Sequence, residues 1–320
     1  MAQMTMRLDL SPISLLSDAE LVKQFAMDCT LRRLSPETVE GYTSSLRTSS
    51  QLLRRKGLSI RNLDKISLTE VLQYLLGKGY AYNTLLQYFA ALSGFCDYLI
   101  WEKIVQSNQV TPFRKRYLRQ YKNHSSIRKL ITIEEMARLT NSIMDPRDKA
   151  ILTLLAKTGI RRGELIKIDL QDIDWVEQSI QLKPHPKRSN CTVFFDTETA
   201  IILRRWIKAR QHYDLKDECS ALFVNERKSR LKRHGVEHSI TKYAIRLGIH
   251  NPKSKKVEDH FTPHCCRHWF TTHLRRNGMR RELIKELRGD SRNEAVDIYD
   301  HIDKKELKRA YLAAIPILGI

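Results

Sequence analysis

Over the first hundred residues apolar side chains recur three and four positions apart, the spacing of one face of a helix. In TLLQYFAALSGFCDYLIWEK, Leu85, Phe89, Leu92, Cys96 and Leu99 fall on one stripe, which predicts a helix that needs a partner surface. Local punctuation agrees. Ser35 followed by Pro36 predicts an N-cap with proline in the first helical position, and Ser67 with Glu70 predicts a capping box ahead of LTEVLQYLL. Residues 17–110 are therefore expected to fold as a small all-helical domain, preceded by a flexible N-terminus over residues 1–16.

Further along, the pattern changes. Thr132 with Glu135 predicts a capping box that opens ITIEEMARLTNSI, and DPRDKAILTLLAKTG predicts a helix ended by Gly159 in a left-handed conformation. SIQLKPHPKRSNCTVFFD breaks the helical period and predicts two short strands joined by a basic, proline-containing turn. Helical periodicity returns at TAIILRRWIKAR and continues with short breaks. The expected fold is mainly α with a small antiparallel β-sheet, an α+β second domain spanning residues 131–302. Residues 111–130, with seven basic residues and no acidic one, are expected to be a basic interdomain linker that could lie across a polyanion and let two domains close on it. Residues 303–320 form a C-terminal tail, expected either to pack on its own domain or to dock on a neighbouring subunit.

Charge gives the partner class. The chain of 320 residues carries 56 Lys and Arg against 36 Asp and Glu, a formal charge of +20, so its folded surface attracts polyanions and nucleic acid is the leading partner. Hydrophobic residues make up 42% of the chain, enough for real cores, which excludes a disordered basic tail. The N-terminus lacks a charged start followed by an apolar run, and YLAAIPILGI is too short to span a bilayer, so a soluble cytosolic protein with no membrane contact is expected. The six cysteines are scattered without a CxxC pair or a zinc-type spacing, and neither a disulfide nor a structural metal is expected.

Several residues could hold and attack a phosphodiester. Thr262 as N-cap and Pro263 at the first helical position would place His264 in a first turn, where backbone N–H groups and the helix dipole favour an anion. Arg267 lies three residues on, on the same face, and a guanidinium can offer phosphate two parallel hydrogen bonds. The pair alone defines nothing, because His273 and Arg276 repeat it. In TGIRRGEL, Gly159 and Gly163 flank Arg161 and Arg162, and Glu164 is spaced to hold Arg161 from behind. Tyr299 falls on a short helix expected to start with a Ser291–Glu294 capping box; it is either a core tyrosine or a phenol activated by cationic neighbours.

Taken in order, TGIRRGEL, HCCRH and LRGDSRNEAVDIYDHI resemble the motifs of the tyrosine recombinase (phage integrase) family, over about Thr132 to His301. The helical first domain is similar to that family's SAM-like core DNA-binding domain, and the short stretch before it suggests no arm-binding domain, a layout similar to Xer-like and archaeal integrases. The resemblance implies a catalytic domain over residues 131–302 and a site-specific DNA recombinase that needs no metal, cofactor or ATP. Tyr299 would be the nucleophile, Arg161 and Arg267 would bind the non-bridging oxygens, and His264 would handle the tyrosine proton. It also implies a general-acid lysine in the strand-to-strand turn. Lys187, just ahead of TVFF, is favoured over Lys183, which ends the preceding strand. Asp290 departs from the family pattern, which has histidine or tryptophan there; it is expected to cap the Tyr299 helix or to pair with Arg288 or Arg292. The implied partners are double-stranded DNA, a homotetramer assembled on it, and accessory DNA-bending proteins, in the cytoplasm at the nucleoid. The alternative is a DNA-binding protein of the same fold with weak or lost strand exchange.

Overall fold

The computed structural model describes residues 16–121, 129–185, 188–213, 219–254, 256–290 and 302–320. The chain divides into two units, Met1–Ser125 and Ser126–Ile320. Helices α1 (Asp18–Leu31), α2 (Pro36–Arg55), α3 (Lys65–Gly77), α4 (Tyr82–Trp101) and α5 (Val110–Tyr117) build the first. Ser35 caps α2 with Pro36 in its first turn, and the α4 stripe of Leu85, Phe89, Leu92, Cys96 and Leu99 is buried throughout, against Phe25 and Leu46 among others. The start of α3 differs from the sequence expectation. Asp64, not Ser67, is its N-cap, accepting a 2.8 Å hydrogen bond from the Ser67 N–H, and Glu70 pairs instead with Lys56. A carboxylate one turn earlier takes over the orphan N–H groups that Ser67 was expected to serve.

The expected linker is also shorter than its charge suggested. Residues 110–117 form α5, continued by a 3₁₀ turn over Leu118–Tyr121, and Val110, Phe113 and Leu118 are buried in the first unit's core. Phe113 stacks on Phe89 at 5.5 Å between ring centres. Basic residues supply the outer face of this segment while three apolar ones anchor it, so the charge count masked an amphipathic helix. Exposed Arg32, Arg33, Arg47, Arg54, Arg55 and Lys56 stand on the first unit's surface, whereas Arg61 is held by Asp18 at 3.3 Å.

In the second unit, α6 (Ile133–Asn141) opens with the expected Thr132–Glu135 capping box, and α7 (Pro146–Thr158) ends at Gly159 with φ of 62°. A Cβ at Gly159 would lie 2.3 Å from the Phe270 ring, so both the left-handed conformation and the close approach require glycine. After the single turn α8 (Arg162–Leu165) come strands β1 (Ile173–Asp174), β2 (Ser179–Gln181) and β3 (Thr192–Phe194), an antiparallel sheet in that order. Ile180 pairs with Ile173 on one side and Val193 on the other, placing three apolar residues side by side on the buried face. The sequence pattern predicted β2 and β3; β1, at two residues, is too short to show an alternation.

Helices α9 (Thr197–Arg210), α10 (Arg233–Arg246), α11 (Pro263–Arg276), α12 (Arg281–Arg288) and α13 (Lys304–Ala314) complete the unit. Of these, α11 packs its apolar side on α7 and meets α12 and α13 through Phe270 and Leu274. The tail packs on its own domain. Leu307, Tyr311, Ala314 and Ile315 are buried with Phe270, Leu283 and Leu287, and Leu318 joins the main core. Setting residues 303–320 apart as a tail therefore cut through a hydrophobic cluster. Among the described residues no helix is long and apolar enough to cross a membrane.

Candidate active site

Three chain segments converge at the start of α11. Thr262 is its N-cap and Pro263 its first residue, as the sequence indicated, so exposed His264 stands in the first turn. Cys265 takes the part that Glu or Gln plays in a capping box, its sulfur accepting from the Thr262 N–H at 3.4 Å. Arg161, Thr262, His264 and Arg267 line one cleft, and Arg161 also lines an adjoining cleft with Lys183, His185 and Arg233. The decoy pair separates cleanly: His273 is buried against Trp269, 4.7 Å between ring centres, and its pKa is lowered by burial.

Arg267 is almost fully buried. Its Nη1 donates to the Gly159 carbonyl at 2.7 Å and its Nη2 to the Arg288 carbonyl at 3.0 Å, so the C-terminal ends of α7 and α12 fix the fork. Burial, with Arg161 and Arg288 nearby, brings its pKa down to about 10, which leaves it charged at neutral pH. Arg161 is held from behind as expected: Glu164 accepts from its Nη1 at 3.0 Å and from its backbone N–H at 2.7 Å. Burial pushes the Glu164 pKa up, but Arg188 and Arg161 outweigh it and hold the carboxylate ionised.

Asp290 completes the picture and pairs more widely than expected. Its Oδ1 lies 2.9 Å from Arg267 Nη2 and 3.5 Å from Arg161 Nη2, and its Oδ2 lies 3.1 Å from Arg288 Nε. The pairing with Arg288 was anticipated; the bridging of Arg161 and Arg267 was not. Arg292, the expected Ser291–Glu294 cap, Lys187 and Tyr299 lie outside the described residues. Lys183 is described, and its Nζ is bound to Asp172 at 2.7 Å and Asp169 at 3.0 Å. Hydrogen bonds to Asp172 and Asp169 raise its pKa. Burial pushes Asp169 up, but bonds from Arg230, Lys183 and Ser220 bring it down to about 2.

Arg188 went unnoticed in the sequence, where it reads as one more cation of a basic turn. Its guanidinium is wholly buried, donating to Glu164 at 3.1 Å and to the carbonyls of Leu287 and Arg288 at 2.9 and 3.2 Å. It thus ties the hairpin to the carboxylate behind Arg161 and to the negative end of α12. Gly289, with φ of 59°, turns the chain away there; a Cβ would meet Arg188 Cγ at 2.4 Å. The only sequence signal was its position beside Lys187, before a strand that had to be buried.

Two guanidinium groups aimed at one point beside a helix N-terminus form an arrangement suited to a phosphoryl group, and a helical unit precedes it. The chain belongs to the phage integrase family: residues 124–306 match that family, and residues 22–103 match the N-terminal SAM-like domain of phage integrases. Members of this tyrosine recombinase family cleave and rejoin DNA strands, and the chain is an enzyme of that class. It is 26% identical to tyrosine recombinase XerC of Psychromonas ingrahamii over 290 residues, covering 89% of this chain and 92% of the relative. It is 27% identical to tyrosine recombinase XerD of Oceanobacillus iheyensis over 293 residues, 89% and 94% of the two chains. Among solved structures, the Tn1549 transposon integrase bound to transposon right end DNA has a TM-score of 0.67 at 18% identity, covering 92% of this chain and 98% of that one. XerH recombinase bound to its difH substrate has a TM-score of 0.62 at 21% identity, covering 92% and 84%. Both share the fold.

Proposed function

We propose that the protein recombines double-stranded DNA at specific sites through a 3′-phosphotyrosyl intermediate, with Tyr299 as nucleophile. The phenol oxygen attacks the scissile phosphorus, its proton passes to His264, and the bond to the 5′ oxygen breaks. That oxygen leaves as a hydroxyl after taking a proton from a hairpin lysine. Arg161 and Arg267 carry the extra charge of the pentacoordinate state, where preorganised donors lower a barrier most effectively. The released hydroxyl of one strand then attacks the phosphotyrosyl link of another, reversing the chemistry with no net change in bond type. Two duplexes present four such strands, so a homotetramer on DNA is the proposed working species, assisted by DNA-bending proteins, at the nucleoid in the cytoplasm.

The observation that carries this reading is the convergence of Arg161 and Arg267 on a single oxygen position beside His264. Its test is a duplex carrying a cognate site and a nick placed so that the cleaved fragment diffuses away, which traps the covalent intermediate. The expected result is a protein–DNA adduct whose nucleotide-bearing peptide, located by mass spectrometry, contains Tyr299. Adducts at another residue, or none on any cognate site, would refute it.

Lys187 remains the proposed general acid. Lys183 is engaged by two carboxylates, which supports a structural role for it. Lys187→Ala is expected to slow cleavage about a hundredfold, within the range of general acid catalysis, and Lys183→Ala far less. A substrate with sulfur in place of the bridging 5′ oxygen releases a thiolate that needs no proton. It should restore the rate of the Lys187 variant alone; restoration of the Lys183 variant would reverse the assignment.

A further inference from the structure

We propose that Asp290 occupies the place of the scissile phosphate between Arg161 and Arg267, so that the resting site is closed by its own carboxylate and DNA must displace it. The inference rests on the recombinase reading above and adds to it a residue that sets how readily the site accepts its substrate.

The geometry is that of a substitute ligand. A carboxylate and a phosphodiester both carry one negative charge and both offer paired oxygens to a guanidinium fork. Asp290 Oδ1 meets both arginines assigned to the phosphate, at 2.9 and 3.5 Å. Its remaining partner among the described residues is another cation, Arg288. A residue there that bound phosphate would need a donor; an ionised carboxylate has none to give and can only repel the anion or yield to it.

Displacement is feasible because the fit is imperfect. Among the described residues, only the Arg267 contact is a well-formed hydrogen bond. The Arg161 contact is long, and Arg288 Nε, though close, has no hydrogen-bond partner aligned with it among the described residues. The side chain is 30% exposed, so solvent is open to it. Its backbone, by contrast, is fixed: the N–H donates to the Lys285 carbonyl at 3.2 Å, and its own carbonyl accepts from Ser189 Oγ at 2.8 Å. Side-chain rotation can therefore clear the arginines without moving the end of α12. Without a ligand the carboxylate also offsets the mutual repulsion of Arg161, Arg267 and Arg288, which explains how a closed resting site would be stable.

Inorganic phosphate, titrated calorimetrically at constant ionic strength into the full chain, tests the assignment without requiring catalysis. Asp290→Asn keeps the shape and removes the charge; Asp290→Ala removes both; Glu282→Gln makes the same charge change at an exposed position of α12. Both Asp290 variants are expected to bind phosphate at least tenfold more tightly than the wild type and Glu282→Gln, and to form the trapped DNA adduct faster. Equal or weaker phosphate binding in Asp290→Asn would overturn the proposal and make Asp290 a residue that orients the arginines. Tighter phosphate binding with no adduct in any variant would keep the assignment of the anion position and refute the strand-cleavage reading instead.

Discussion

Arg267→Ala is expected to slow formation of the phosphotyrosyl adduct about a thousandfold, while equilibrium binding to the intact duplex stays within about tenfold. The asymmetry follows from where the guanidinium sits. DNA affinity is summed over many phosphates met by cations across the protein surface, so one contact contributes modestly. Charge on the reacting phosphate, however, grows only in the transition state, and Arg267 is buried with its fork already set by the carbonyls of Gly159 and Arg288. No reorganisation is needed when the charge appears. Arg267→Lys separates charge from geometry: an ammonium cannot reproduce the planar fork, so a loss of about a hundredfold is expected despite the retained charge. Single-turnover cleavage at saturating protein, set beside a binding isotherm at the same salt, checks both. A drop in binding as large as the drop in rate would show that Arg267 serves affinity. Removing the fork also strands two carbonyls, so thermal unfolding of each variant has to be measured alongside.

How much of this site was legible in the sequence depends on the kind of interaction. His264 could be placed because N-cap chemistry is local: Thr262 and Pro263 define the helix start within three residues. Arg161 and its support by Glu164 were legible for the same reason, lying one helical turn apart. Arg188 and the bridging role of Asp290 were not: Arg188 reaches the Arg288 carbonyl across 100 residues, and Asp290 joins Arg267 to the far upstream Arg161, partners that only the tertiary fold brings in. Fold-level reading failed in a related way. Charge and chain position set the expectation for the α5 segment and the tail, whereas buried Phe113 and Tyr311 decide where those segments pack. At Gly159 one strong local signal sets the helix end; at the start of α3 two caps compete, and the Asp64 carboxylate prevails over the Ser67 capping box.

Lys157→Met is expected to destabilise the second unit by about 3–5 kcal/mol, the cost of breaking a buried ion pair from one side. The ammonium is inaccessible to solvent and donates to Asp196 and Glu198, each at 2.5 Å, and to the Pro316 carbonyl at 2.6 Å. Methionine fills a similar volume, so the loss reports charge rather than a cavity. Both carboxylates have other duties that keep them in place. Asp196 caps α9 through the Thr199 N–H, and Glu198 accepts from the N–H groups of Leu318 and Gly319, fastening the end of the chain. Without Lys157 the two charges face each other in a site shielded from water. The unit's melting temperature should fall by about 10 °C, a shift of the size expected for a domain of this length. Its pH dependence carries the sharper sign. Burial pushes the Glu198 pKa up, but Lys157 and the Leu318 and Gly319 amides hold it below the usual value, so it adds stability above the unfolded carboxylate pKa. That contribution is lost as pH falls through the folded value. In Lys157→Met the Glu198 pKa rises, and protonation relieves the buried charge. The stability gap between wild type and variant should therefore narrow as pH drops from about 6 to about 4. A gap that stayed constant over that interval would mean that the lysine acts through packing, and that the C-terminal residues are held by Glu198 alone.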